Sequence, residues 1–68
     1  MTVGQAIKKA RTEKGYTQDK LAKKIGTYGY IISIWENDKA QPCCYFLMRM
    51  ADVLGISIDK LVGREVVS

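Results

Sequence analysis

The sequence predicts an all-α protein, a compact five-helix bundle, on three observations. Apolar residues recur at three- and four-residue intervals along most of the chain, and no strand pair can be read in it. Thr2, Thr17 and Ser57 stand immediately before such stretches, where a hydroxyl caps a helix, while Gly15, Gly26 and Gly55 stand where one stops. Finally, Thr17 to Glu36 reads as two helices joined by a tight turn. Ala22 supplies the small side chain where they cross, Gly26 the positive φ of the turn, and Ile32 the apolar anchor of the second helix.

Taken in order, Thr2 caps the first helix with Gln5 three residues on in capping-box register, and Val3, Ala6, Ile7 and Ala10 form its apolar stripe. Thr17 caps the second, which buries Leu21, Ala22 and Ile25 and carries Lys20, Lys23 and Lys24 on its other side. The third runs from about Tyr28 to Glu36 with Ile32 and Trp35 as core anchors. Its β-branched residues give it poor intrinsic propensity, so packing must hold it together. After the polar loop from Asn37 to Gln41, Pro42 marks either the loop's end or the entry to a fourth helix, from about Cys43 to Leu54. Cys44, Leu47, Met50, Ala51 and Leu54 form its inward face. Ile56 packs the next corner, and a short fifth helix after Ser57 closes the core with Ile58, Leu61 and Val62.

At 68 residues the chain is expected to form one domain, residues 1–63, followed by a short tail, 64–68. With 47% apolar and 26% charged residues, the composition is globular rather than disordered. No apolar run reaches the roughly 18 residues of a membrane span. The start, Met1 to Ala10, lacks the apolar core of a signal peptide, so the expected location is cytoplasmic. Cys43 and Cys44 are adjacent, which disfavours an ordinary disulfide, and no histidine is available to complete a zinc site. The expectation is one buried thiol and one at a helix start, with no metal and no cofactor.

The charge is unevenly placed. Residues 1–36 carry seven basic side chains (Lys8, Lys9, Arg11, Lys14, Lys20, Lys23, Lys24) against three acidic ones (Glu13, Asp19, Glu36), which accounts for the whole net charge of +4. This suits a polyanionic partner. On charge alone, a solvated lysine-rich surface fits equally well.

Between Val3 and Val62 the chain resembles the repressor and Cro type of helix-turn-helix domain, found in temperate phage repressors and in bacterial regulators of the xenobiotic-response-element family. The residues that carry the resemblance are Thr17-Gln18 with Leu21-Ala22, the Gly26 turn, Ile32-Ser33 with Trp35-Glu36, the Pro42 break, and Met50-Ala51 through Leu54-Gly55-Ile56-Ser57 and Leu61. The resemblance implies a lambda-repressor-like fold and double-stranded operator DNA as partner. It also implies a sequence-specific transcriptional regulator, a repressor, that binds as a homodimer with the third helix in the major groove.

Position by position, the resemblance implies that Gln18 bonds a backbone phosphate and braces the third helix, and that Arg11 pairs with Glu36. If exposed, that pair is worth at most about 1 kcal/mol and serves to align Arg11 near a phosphate. Lys20, Tyr28, Lys39 and Cys43 complete the phosphate-binding set, Cys43 through the backbone at the start of the fourth helix. Gly29, Tyr30, Ser33 and Ile34 fall where relatives read bases. Relatives often carry amide or guanidinium groups there, and this chain does not. Either Tyr30 and Ile34 contact thymine methyl groups while the Tyr28 and Tyr30 hydroxyls reach phosphates, or some of Tyr28, Tyr30, Ile31 and Ile34 extend the core or face a protein. Asp38 stands where many relatives have glycine, and aspartate tolerates positive φ better than most residues.

Tyr45 and Phe46, expected as adjacent exposed aromatics, join Ile58, Val62, Val66 and Val67 as candidates for a dimer contact. The alternative function is a protein-interaction module of the same fold that uses the apolar third helix. An enzyme is not expected: there is no histidine, no phosphate-cradling glycine loop, and no base beside Ser33 or the cysteines.

Overall fold

Five helices follow one another in the computed structural model, which describes residues 1–62: α1 Val3–Glu13, α2 Gln18–Ile25, α3 Gly29–Glu36, α4 Cys44–Leu54 and α5 Ile58–Leu61. There is no strand among the described residues. The expected tail, 64–68, with Val66 and Val67, lies outside them.

The caps form as the sequence predicts. Thr2 Oγ1 accepts from the Gln5 backbone N–H at 3.1 Å while Gln5 Oε1 accepts from the Thr2 N–H at 2.9 Å, a complete capping box. Thr17 accepts from the Lys20 N–H at 3.0 Å and Ser57 from the Lys60 N–H at 3.2 Å. Tyr28 and Cys43, which precede α3 and α4, make no such side-chain bond. Four turns among the described residues pass through the left-handed region, at Gly15, Gly26, Asp38 and Gly55. In each the next residue's N–H reaches back to a carbonyl five positions earlier: Tyr16 to Arg11, Thr27 to Ala22, Lys39 to Ile34 and Ile56 to Ala51.

The core is drawn from all five helices. Ile7, Leu21, Ile25, Ile32, Met50 and Leu61 are fully buried, with Ala10, Ala22, Trp35, Ala51 and Leu54 around them. Three expectations fail at its edge. Ile58 is exposed, because a helix of a single turn can send only one large side chain inward and Leu61 takes that place; Val62 is half-buried. Cys44, expected on the inward face of α4, is exposed like Cys43, since the first turn of α4 projects past the core and burial begins only at Phe46 and Leu47. Phe46, expected to be exposed, is half-buried with its ring centroid 5.4 Å from that of Trp35. Its neighbour Tyr45 is exposed as expected.

α1 meets the end of α3 at unusually close range. A β-carbon on Gly4 would lie 2.6 Å from the Glu36 carbonyl oxygen and closer still to that of Trp35, so only glycine lets the two backbones touch here.

Candidate nucleic-acid interface

The frame that holds α3 is a buried polar network. Glu36 ends α3, and its carboxylate accepts from Arg11 Nε at 2.6 Å, from Arg11 Nη2 at 3.1 Å and from Gln18 Nε2 at 3.0 Å. Arg11 also donates from Nη1 to the Tyr16 carbonyl at 2.8 Å, in the connection between α1 and α2. One carboxylate therefore ties three helices together. The pair is not exposed: the side chains of Arg11 and Glu36 are 11% and 3% accessible. Three donors of Arg11 serve the frame, and Gln18 braces α3 through Glu36 while remaining half-buried.

The surface of α3 divides by residue type. Tyr28 and Tyr30 are exposed and stack on each other, with ring centroids 6.0 Å apart and planes 13° from parallel. Ile31 and Ile34 are half-buried against the core, so the apolar side chains of this helix serve two purposes. Ser33 is half-buried, and its backbone carbonyl accepts from Asn37 Nδ2 at 2.8 Å. Gly29 has no side chain to offer. A β-carbon there would run into the carboxylate of Asp19, which α2 places against the start of α3.

Exposed lysines stand on α2 and in the turn after α3. Lys20, Lys23 and Lys24 are exposed on α2, and the ammonium groups of Lys20 and Lys24 stand 5.6 and 5.4 Å from the centroid of the Tyr16 ring. Lys39 is exposed in the turn after α3, and Cys43 is exposed at the start of α4. Asp38 takes φ 57 and faces α1: Oδ2 accepts from Thr2 Oγ1 at 2.6 Å and Oδ1 from the Gly4 N–H at 3.0 Å. Sequence reasoning anticipated its backbone but missed these bonds. Glycine inside a helical stretch was the available signal that another backbone comes close. Arg49, also missed, donates from Nη2 to the Lys24 carbonyl at 3.2 Å and joins α4 to the end of α2.

An α2–α3 pair joined through the left-handed Gly26 and tied by a buried carboxylate, with two exposed tyrosines at the start of α3, defines a helix-turn-helix module. The chain belongs to the helix-turn-helix domain family, whose model matches residues 4–65. It is 43% identical over 65 residues to a putative multi-protein-binding factor 1 of Yarrowia lipolytica, covering 96% of this chain and 41% of that protein. With the HTH-type transcriptional regulator SinR of Bacillus subtilis it shares 39% identity over 64 residues, 93% of this chain and 58% of that protein. The P22 c2 repressor, solved in complex with a synthetic operator, superposes with a TM-score of 0.89 at 26% identity over 96% of this chain and 98% of that one. The fold is thus lambda-repressor-like. The chain spans about half the length of the curated relatives it matches. No described helix is long and apolar enough to cross a membrane.

Proposed function

We propose that this chain is a sequence-specific DNA-binding transcriptional regulator, a repressor that acts in the cytoplasm and binds operator DNA as a homodimer with α3 in the major groove. The observation that carries the reading is the Arg11–Glu36–Gln18 network, which holds α3 at a fixed angle to α2 behind an exposed face. Residues 1–63 form the binding unit. Gln18, Lys20, Tyr28, Lys39 and the backbone at Cys43 meet phosphates, and Arg11 acts chiefly by aligning Gln18 through Glu36. Tyr30, with Ser33 and the exposed part of Ile34, reads bases, and Gly29, whose missing side chain leaves room for Asp19, contributes only its backbone. Tyrosine rings and an isoleucine suit thymine methyl groups better than purine edges, so the preferred half-site is rich in thymine at the central contacts. A domain of this size contacts few base pairs, and two-fold pairing on half-sites about one helical turn apart supplies the remaining affinity. Tyr45, Ile58 and Val62 remain exposed or half-buried and available for that pairing.

A second reading, a protein-interaction module, is favoured by the stacked Tyr28–Tyr30 face, which offers no amide or guanidinium group. The Yarrowia relative is named for multi-protein binding. Selection of bound sequences from a random duplex pool at two salt concentrations tests the choice. A recovered two-fold symmetric motif whose retention falls at high salt supports the regulator, and failure to enrich any motif removes it.

A further inference from the structure

We propose that Asp38 is a positioning residue for the nucleic-acid interface: its carboxylate ties the start of α1 to the turn after α3 and so sets where Lys39 is presented. The inference rests on the DNA-binding reading above. Three of the four left-handed turns among the described residues are made by glycine, and Asp38 is the exception. A side chain in that conformation meets steric resistance that glycine avoids, although aspartate tolerates it better than most residues. Here the side chain is bonded at both oxygens. Oδ2 accepts from Thr2 Oγ1 at 2.6 Å and Oδ1 from the Gly4 N–H at 3.0 Å.

Both partners belong to the start of α1, whose first N–H groups have no carbonyl partner inside the helix and whose dipole favours an anion. The absence of a side chain at Gly4 is what admits the carboxylate, since a β-carbon there would lie 2.8 Å from Asp38 Oδ1. These are the only side-chain hydrogen bonds among the described residues that tie the turn to a helix other than α3, because Asn37 bonds only to Ser33. The same two bonds turn a negative charge onto α1, so the exposed Lys39 is the charge this turn offers to a phosphate.

The test compares Asp38→Asn with Asp38→Gly in the full chain, reading affinity for a selected duplex across a salt series together with the melting temperature. Asparagine tolerates the turn, can accept from Gly4 and donate to Thr2 Oγ1, and removes the charge. Glycine removes the same charge and also the two bonds, and it suits the turn. D38N should therefore bind at least as tightly as the parent. D38G should bind more weakly than D38N by on the order of tenfold. Its slope of log affinity against log salt should be shallower by about 1.8, one lysine–phosphate contact in each protomer of the dimer. If D38G and D38N bind alike, Asp38 acts only as a charge and the proposal falls alone. If the parent chain binds no duplex in a salt-dependent way, the DNA-binding reading falls and the proposal with it.

Discussion

Arg11 and Glu36 form a largely buried two-point ion pair, with Nε donating to Oε2 at 2.6 Å and Nη2 to Oε1 at 3.1 Å. Glu36 is the only buried charged residue among those described, and Gln18 bonds to it as well. A buried pair is not strong evidence of net stabilisation, but removing one partner leaves the other charge desolvated, at a cost of about 3–5 kcal/mol. Arg11→Ala should therefore lower the unfolding free energy by about 3 kcal/mol in urea. A loss below about 1 kcal/mol would show that water reaches the carboxylate.

Two glycines in helices make opposite predictions. At Gly4 the obstacles are backbone carbonyls and cannot move aside, so Gly4→Ala should cost about 2 kcal/mol. At Gly29 the nearest obstacle is the carboxylate of Asp19, an exposed side chain that can rotate away. Gly29→Ala should change stability by less than about 1 kcal/mol, since alanine also favours the helix. Thermal melts of the two variants decide this, and equal losses would contradict it.

Trp35 is 6% exposed and its ring rests against Phe46, so the half-buried Phe46 depends on it. Truncation to alanine removes about 3–5 kcal/mol, a large part of the total stability of a domain this small. Trp35→Ala should be substantially unfolded at room temperature by circular dichroism. A melting curve close to that of the parent would contradict the burial.

The two classes of interface residue should separate in binding assays. Lys20→Ala and Lys39→Ala should weaken binding to every duplex and flatten the salt slope, whereas Tyr30→Ala should change which duplex is preferred. Tyr30 is 66% exposed and lies outside the core, so its melting temperature should barely move. Replacing the thymines of the selected half-site with deoxyuridine, which lacks the methyl group, should weaken the parent chain more than Tyr30→Ala. Uniform loss for all three variants on all sequences would contradict the assignment of α3 as reader.

The scaffold was legible because its signals are local and mutually consistent. Thr2, Thr17, Ser57, Gly26 and Gly55 each act within a few residues, and the three- and four-residue spacing of Leu21, Ile25 and Ile32 points to one core. The sequence misled where an element is too short or too near an end for periodicity to decide. Ile58, Cys44 and Phe46 all lie within one turn of a helix start, and there the direction of a side chain depends on tertiary packing. The Asp38 bonds to Thr2 and Gly4 span more than thirty residues of sequence, beyond the reach of any local pattern. The α3 surface was half legible. Its apolar composition was evident, but only packing separates the outward tyrosines from the half-buried Ile31 and Ile34.

The measurement that bears most directly on the central claim is the affinity of the parent chain for its selected duplex as a function of salt. Several phosphate contacts from α2, the turn after α3 and the start of α4 predict a linear fall of log affinity with log salt, with a slope of magnitude about 0.9 per contact. With Lys20 and Lys39 each meeting a phosphate in both protomers of the dimer, four cationic contacts, the slope should be about −3.6, and a duplex of scrambled sequence should bind more weakly at every salt concentration. A flat response, or equal affinity for the selected and scrambled duplexes, would contradict sequence-specific DNA binding through α3.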